Sequence, residues 1–181
     1  NQKKLTEGRH MVDAKQTDTV DRLVGLTAGD QTYQVRHQRD KVVAATQGSE
    51  NGLFDPALVG LTVTERLYVA LFACVLTPAP ELAKEYTERL LAQGADSEII
   101  DFVASAALEN IQSPRLHTIL AFTHTLITDP VKADREALLA LPQAGLSTPE
   151  VVTLAQLIAF VSYQVRLVAG LKAMKALEKS V

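Results

Sequence analysis

Three kinds of side chain in this sequence of 181 residues invite chemistry: a single thiol, an arginine and a glutamate on apolar stretches, and two spaced histidines. The thiol, Cys74, lies inside Leu71-Phe72-Ala73-Cys74-Val75-Leu76 with no His or Lys within a helical turn. Hydrocarbon disfavours the thiolate, so Cys74 reads as a small buried hydrophobe, or else as a nucleophile resolved by an outside thiol. Glu65 lies nine residues earlier and closes a Thr62-x-x-Glu65 capping box, which by itself accounts for it. Arg166 lies in an apolar run and must be paired if buried. Glu65 is its expected partner across two core helices, and the alternative is that Arg166 binds a ligand anion. His117 and His124, seven residues apart, share a helix face that could serve a metal. No carboxylate stands at matching spacing, so partly buried or surface histidines are expected and no metal site is.

The elements that would position these residues are helices. The segment from Ser147 to about Glu178 reads as one helix, roughly 45 Å long at 1.5 Å per residue. Ser147 and Glu150 form its capping box with Pro149 in the first turn. From Val151 to Val161 only Thr153 and Gln156 are polar, so other helices should bury this half. Gln156 and Tyr163 would line a small pocket or hydrogen-bond across a subunit interface. The run is interrupted by Gln156, Ser162, Gln164 and Arg166, and is read as too short for a membrane span. Thr62 opens a second apolar helix through Leu76, broken by Pro78 and Pro80. Pro80 restarts a helix ended by Gly94, Ser97 caps the next, and Ser113-Pro114 starts another. A short helix then carries Leu138, Leu139 and Leu141. Towards the N-terminus, Thr17 or Asp18 caps a short helix ended by Ala28-Gly29. Residues 30–47 read as a polar surface helix, and Gly48 to Gly60 as a glycine-punctuated loop. No alternating run predicts a strand.

Composition bounds the possibilities. The chain is 47% hydrophobic, which supports a sizeable core. Its net charge of −3, with no basic stripe, argues against nucleic acid as a partner. One cysteine excludes an internal disulfide framework and a zinc site built on several thiolates. With no signal or transit pattern recognised, cytoplasmic is the default expectation. Gly8-Arg9-His10-Met11 reads like a cloning junction with a native start at Met11, so residues 1–10 are set aside as a leader.

The Thr-Glu-Arg-initiated apolar helix, followed by a helix ending in Gly-Ala-Asp-Ser-Glu-Ile-Ile (Gly94 to Ile100), resembles the alkylhydroperoxidase-D and carboxymuconolactone decarboxylase family. The segments Leu120-Ala121-Phe122 to Asp129-Pro130, Ala144-Gly145-Leu146-Ser147, and Ala159 to Arg166 are similar to the peroxidase-related branch of that family. The motifs Asp18-Thr19-Val20-Asp21 and Ala45-Thr46-Gln47-Gly48-Ser49 resemble the N-terminal extension of one subgroup. The resemblance spans roughly residues 18–171. It implies an all-helical, usually oligomeric protein whose active members reduce peroxides with a Cys-x-x-Cys pair, assisted by a Glu twelve residues before it and a His after it. Glu65 fits the Glu position. Counting forward from it puts the cysteine slots at Thr77 and Pro80 and the His slot at Lys84. Counting back from Gly94 puts them at Ala79, Leu82 and Tyr86. Neither register holds a cysteine, and two-thiol peroxide reduction needs two. Arg166 falls where that branch carries an Asn-Arg pair, with Val165 in place of the Asn. Tyr86, in a displaced His slot, would donate a proton, or pack with its hydroxyl at a helix edge.

The expectation is therefore an all-α alkylhydroperoxidase-D-like bundle over residues 61–181, with a helical N-terminal extension over 11–60. Two almost wholly apolar helices in one small subunit predict a homo-oligomer. The expected role is that of a redox-degenerate relative of the peroxide-detoxifying antioxidant proteins, acting in binding or assembly, with an active relative as a candidate partner. The alternative is an enzyme: a one-cysteine peroxidase through Cys74, or acid/base chemistry on a small carboxylated substrate through Glu65, Tyr86 and Arg166. No cofactor is expected.

Overall fold

Thr62 starts the central helix α4 (Val63–Leu76) with a complete capping box. Its Oγ1 accepts from the Glu65 N–H at 3.1 Å, and the Glu65 carboxylate accepts from the Thr62 N–H at 2.8 Å. Every residue from Arg66 to Cys74 is buried, which a helix apolar on all sides requires. The cover comes from α5 (Pro80–Ala92), α6 (Ser97–Ala104), α7 (Pro114–Thr128) and α9 (Thr148–Glu178), all packed on α4. The short α8 (Arg135–Gln143) packs on α7. The computed structural model describes residues 18–178, so the leader and the Met11 start fall outside the described residues. Among those described, every regular element is a helix or a short 3₁₀ turn, so the all-α bundle holds.

Most boundaries follow the stop and start signals. Pro80 occupies the first turn of α5, Gly94 ends it at φ 71°, and Ser113 caps α7 ahead of Pro114. Asp96, one residue before the expected Ser97, caps α6 by accepting from the Glu98 N–H at 2.8 Å.

The N-terminal layer departs further from expectation. Asp18 caps α1 (Thr19–Val24), and the helix stops at left-handed Gly25 (φ 72°) rather than at Ala28-Gly29. Residues 30–47 form no single helix. The chain breaks between α2 (Gln31–His37) and α3 (Asp40–Leu53), and α3 runs through both Gly48 and Gly52 instead of ending before them. A side chain added at either glycine would meet nothing within 4 Å, so both lie on an open face. Mid-helix glycine costs about 1 kcal/mol relative to alanine. The opposite face of α3, where Thr46 and Glu50 are buried, outweighs that cost. Glu178, at the end of α9, accepts from the backbone and hydroxyl of Thr32, and Lys175 donates to the Gly25 carbonyl. These contacts join the N-terminal helices to α9.

The long helix spans 31 residues, as its capping signal predicted, but it is only half covered. Leu154, Leu157, Ile158, Val161, Val165 and Val168 are buried, while Val152 remains 50% exposed and Tyr163 43%. The expectation that other helices bury this stretch all round is therefore corrected: one face lies open. By length and composition α9 would also suffice to cross a membrane, with a mean hydropathy of 1.6 over its most apolar window. Only 39% of that window is buried in the subunit.

Candidate functional site

Because α3 continues through its glycines, it delivers Glu50 and, just past its end, Phe54 to the edge of the core, where both are buried. Facing them is α5, whose residues Leu82, Tyr86 and Leu90 repeat at four-residue spacing and are fully buried. One position further round, α5 carries Glu85 and Arg89 at the rim. From the opposite side α9 contributes Gln164, whose amide is completely buried inside an otherwise apolar stripe. A buried amide must find partners, and this one has two. The Tyr86 hydroxyl donates to Gln164 Oε1 at 2.6 Å, and Gln164 Nε2 donates to Glu50 Oε2 at 3.2 Å. Arg89 completes the set by donating Nη1 to Glu50 Oε1 at 3.1 Å, with its guanidinium 4.3 Å above the Phe54 ring.

Glu50 forms the inner wall of a cleft of about 640 Å³ between α1, α3 and α5. That volume lies within the range of roughly 300–1,000 Å³ typical of small-molecule sites. Phe54 and Pro56 supply its apolar surface, and Arg22 and Glu85 close one side through a bidentate pair at 2.9 and 2.8 Å. Desolvation raises the Glu50 pKa above that of an ordinary carboxyl group, although the Arg89 charge opposes the rise. Burial, reinforced by the nearby Glu50 charge, holds the Tyr86 phenol well above its usual value. A buried carboxyl group whose pKa is raised, beside a guanidinium and within a cleft, is equipped to exchange protons with a bound molecule.

The residues singled out from sequence do not form one constellation. Glu65 and Arg166 were expected side by side, and they are apart. Glu65 pairs with Arg115 of α7 at 2.7 Å, and the same guanidinium reaches Glu150 of α9 at 2.5 Å. Gly60 (φ 109°) lets the preceding loop pass against Glu150, where any Cβ would sit 2.7 Å from its Cγ. Arg166 is exposed and donates back to the Ser162 carbonyl of its own helix at 2.6 Å. Its long aliphatic stem allows the charge to reach water. The buried arginine is instead Arg66, satisfied by main-chain carbonyls.

Cys74 is 1% exposed, and burial pushes its thiol up to about 12. Tyr86 is fully buried, so its hydroxyl bonds inside the core rather than at a helix edge. His117 and His124 are exposed, and no group of three metal-ligating side chains occurs among the described residues. Gln156 is exposed in a shallow groove with Phe160, while the Tyr163 hydroxyl lies 3.2 Å from Thr46 Oγ1 of α3 within the subunit. Of the expected residues, Tyr86 alone enters the cleft network. Glu50 escaped the sequence reading because α3 was stopped at Gly48, and Arg89 and Gln164 because they lie on separate helices and are brought together by Glu50. The spacing Val43, Thr46, Glu50, Phe54 carries the missed signal, a helical stripe that ignores the glycines.

No family profile matches the chain, and no curated protein matches it by sequence. By structure it is similar to a crystal structure of the debrominase Bmp8, solved as a cysteine-to-alanine variant in complex with 2,3,4-tribromopyrrole. The match covers 93% of this chain and 90% of that one, at a TM-score of 0.67 and 14% sequence identity, so the two share a helical fold.

Proposed function

We propose that this protein descends from the alkylhydroperoxidase-D and carboxymuconolactone decarboxylase family of peroxide-defence proteins, has lost thiol redox chemistry, and works in the cytoplasm as an oligomeric binding protein. The reading is supported by the likeness of its fold to that of the debrominase and by the resemblance of its motifs to that family. The observation that carries the reading is the state of Cys74. It is the chain's one cysteine, it is buried in hydrocarbon, and its thiol is held near 12, so almost none is thiolate at neutral pH. A one-cysteine peroxidase would need that sulfur both ionised and reachable by peroxide. Hydrogen peroxide consumption with dithiothreitol as reductant is expected to match the protein-free background for wild type and Cys74→Ser alike. A rate that depends on the wild-type thiol would overturn the reading.

The open face of α9 supports the oligomeric part. Val152, Ala155 and Ala159 are exposed along one side, beside the partly covered Phe160, and a second subunit would remove that apolar stripe from water. Light scattering behind size-exclusion chromatography is expected to give a mass above 19.6 kDa for the wild type and a monomer for Phe160→Glu. A monomeric wild type at micromolar concentration would refute the assembly.

A further inference from the structure

The cleft of α1, α3 and α5 is rich in donors. Arg89 spends only Nη1 on Glu50, and its Nε and Nη2 have no hydrogen-bond partner among the described residues. The carboxylates of α3 and α5 in the cleft are committed, and Asp55 at its edge accepts from the Ala57 N–H through Oδ1. Both Glu85 oxygens take Arg22, Glu50 Oε1 takes Arg89, and Glu50 Oε2 takes Gln164. A site with spare guanidinium donors, occupied carboxylates and an apolar wall fits a ligand that combines an anionic acceptor with a hydrocarbon body. We propose that this cleft binds a small organic carboxylate on Arg89, against Phe54 and Pro56, and that Glu50 takes up a proton when the ligand binds.

The proton follows from competition for one guanidinium. The groups facing Glu50 are Arg89 and Glu85 from α5, Thr19 and Arg22 from α1, and Gln164 from α9, which relays the Tyr86 hydroxyl. Of these, Arg89 is the main charge offsetting the desolvation of Glu50. A ligand carboxylate that claims Arg89 weakens that offset and adds a second negative charge nearby. Glu50 then takes one proton from solvent, no bond in the ligand changes, and the net charge of the complex equals that of the free protein. The proposal rests on the non-redox reading only in giving the same chain a ligand to bind.

Calorimetric titration of the whole chain with benzoate, in two buffers of different ionisation enthalpy, tests it. Saturable binding with proton uptake is expected, with affinity falling by up to about tenfold per pH unit as pH rises towards neutral. Benzylammonium, the same ring with opposite charge, is not expected to bind. Glu50→Gln should abolish the pH dependence and bind benzoate more tightly than wild type at neutral pH, because no proton need be acquired. Arg89→Gln should weaken binding by at least about tenfold. The proposal is overturned if wild type shows no saturable benzoate binding, if binding occurs without proton uptake, or if Arg89→Gln, shown folded by circular dichroism, binds as well as wild type. The wild-type titrations stand whether or not a variant folds. A thiol-dependent peroxide rate would sink the non-redox reading and leave the benzoate result intact.

Discussion

Arg66→Leu is expected to lower the unfolding free energy by about 2–4 kcal/mol, the cost of one orphaned carbonyl and two that lose a charged donor. The guanidinium is 1% exposed and serves three main-chain acceptors. They are the Leu53 carbonyl at 2.5 Å, the Asp55 carbonyl at 3.1 Å and the Thr62 carbonyl at 3.3 Å. These belong to the end of α3, the following loop and the N-cap of α4, so one side chain ties the N-terminal layer to the bundle. Leucine fills part of the volume and leaves the Leu53 oxygen without a donor, while the Asp55 and Thr62 carbonyls keep only the N–H groups of Leu58 and of residue 66. Arg66→Lys keeps the charge but cannot fork to several carbonyls from one planar group, so it should recover only a minor part of the loss. Urea unfolding should show a lower midpoint at unchanged m-value, with melting lower by on the order of 10 °C. Hydrogen exchange should rise first across residues 54–62. A loss below about 1 kcal/mol would mean that water replaces the guanidinium and that the tie is not structural.

Arg66 and Arg166 also show where the sequence was legible. That a buried arginine must be satisfied is sound physics, but hydropathy cannot say which arginine is buried. Arg166 sits in an apolar run and still reaches water, because its helix is covered on one side only. Arg66 sits in a run covered on all sides, and its partners are carbonyls, which leave no mark in a sequence. Helix starts were readable at Thr62, Ser113 and Ser147 because capping is local chemistry within three residues. The course of α3 was not, because tertiary burial of Thr46, Glu50 and Phe54 overrides the breaking tendency of Gly48 and Gly52. The burial of Cys74 followed from its neighbours in sequence, whereas Glu50, Arg89 and Gln164 lie on three separate helices and meet only in the folded chain.

The network those three residues form with Tyr86 should respond as a unit. Tyr86→Phe removes the donor to Gln164 Oε1 at a site where both side chains are fully buried. It should cost about 1–3 kcal/mol, the price of an unsatisfied buried acceptor. Gln164→Leu should cost at least as much, since it orphans the Tyr86 hydroxyl and strips Glu50 Oε2 of its Nε2 donor. The double variant should cost less than the two together by about 1–2 kcal/mol, because leaving neither partner is cheaper than leaving one. The pH dependence separates the two singles. Desolvation already raises the folded pKa of Glu50 above its unfolded value. Its protonated form is therefore the stabilising one, and that contribution is lost as pH rises through the folded pKa. Removing the Gln164 donor withdraws support from the ionised form and raises that pKa further. The cost of Gln164→Leu should thus be larger at neutral pH than in mild acid, whereas Tyr86→Phe, which leaves Glu50 its amide partner, should cost nearly the same at both. Equal pH profiles for the two variants in urea unfolding would show that Glu50 does not feel Gln164, and that the phenol and the carboxylate are neighbours without being coupled.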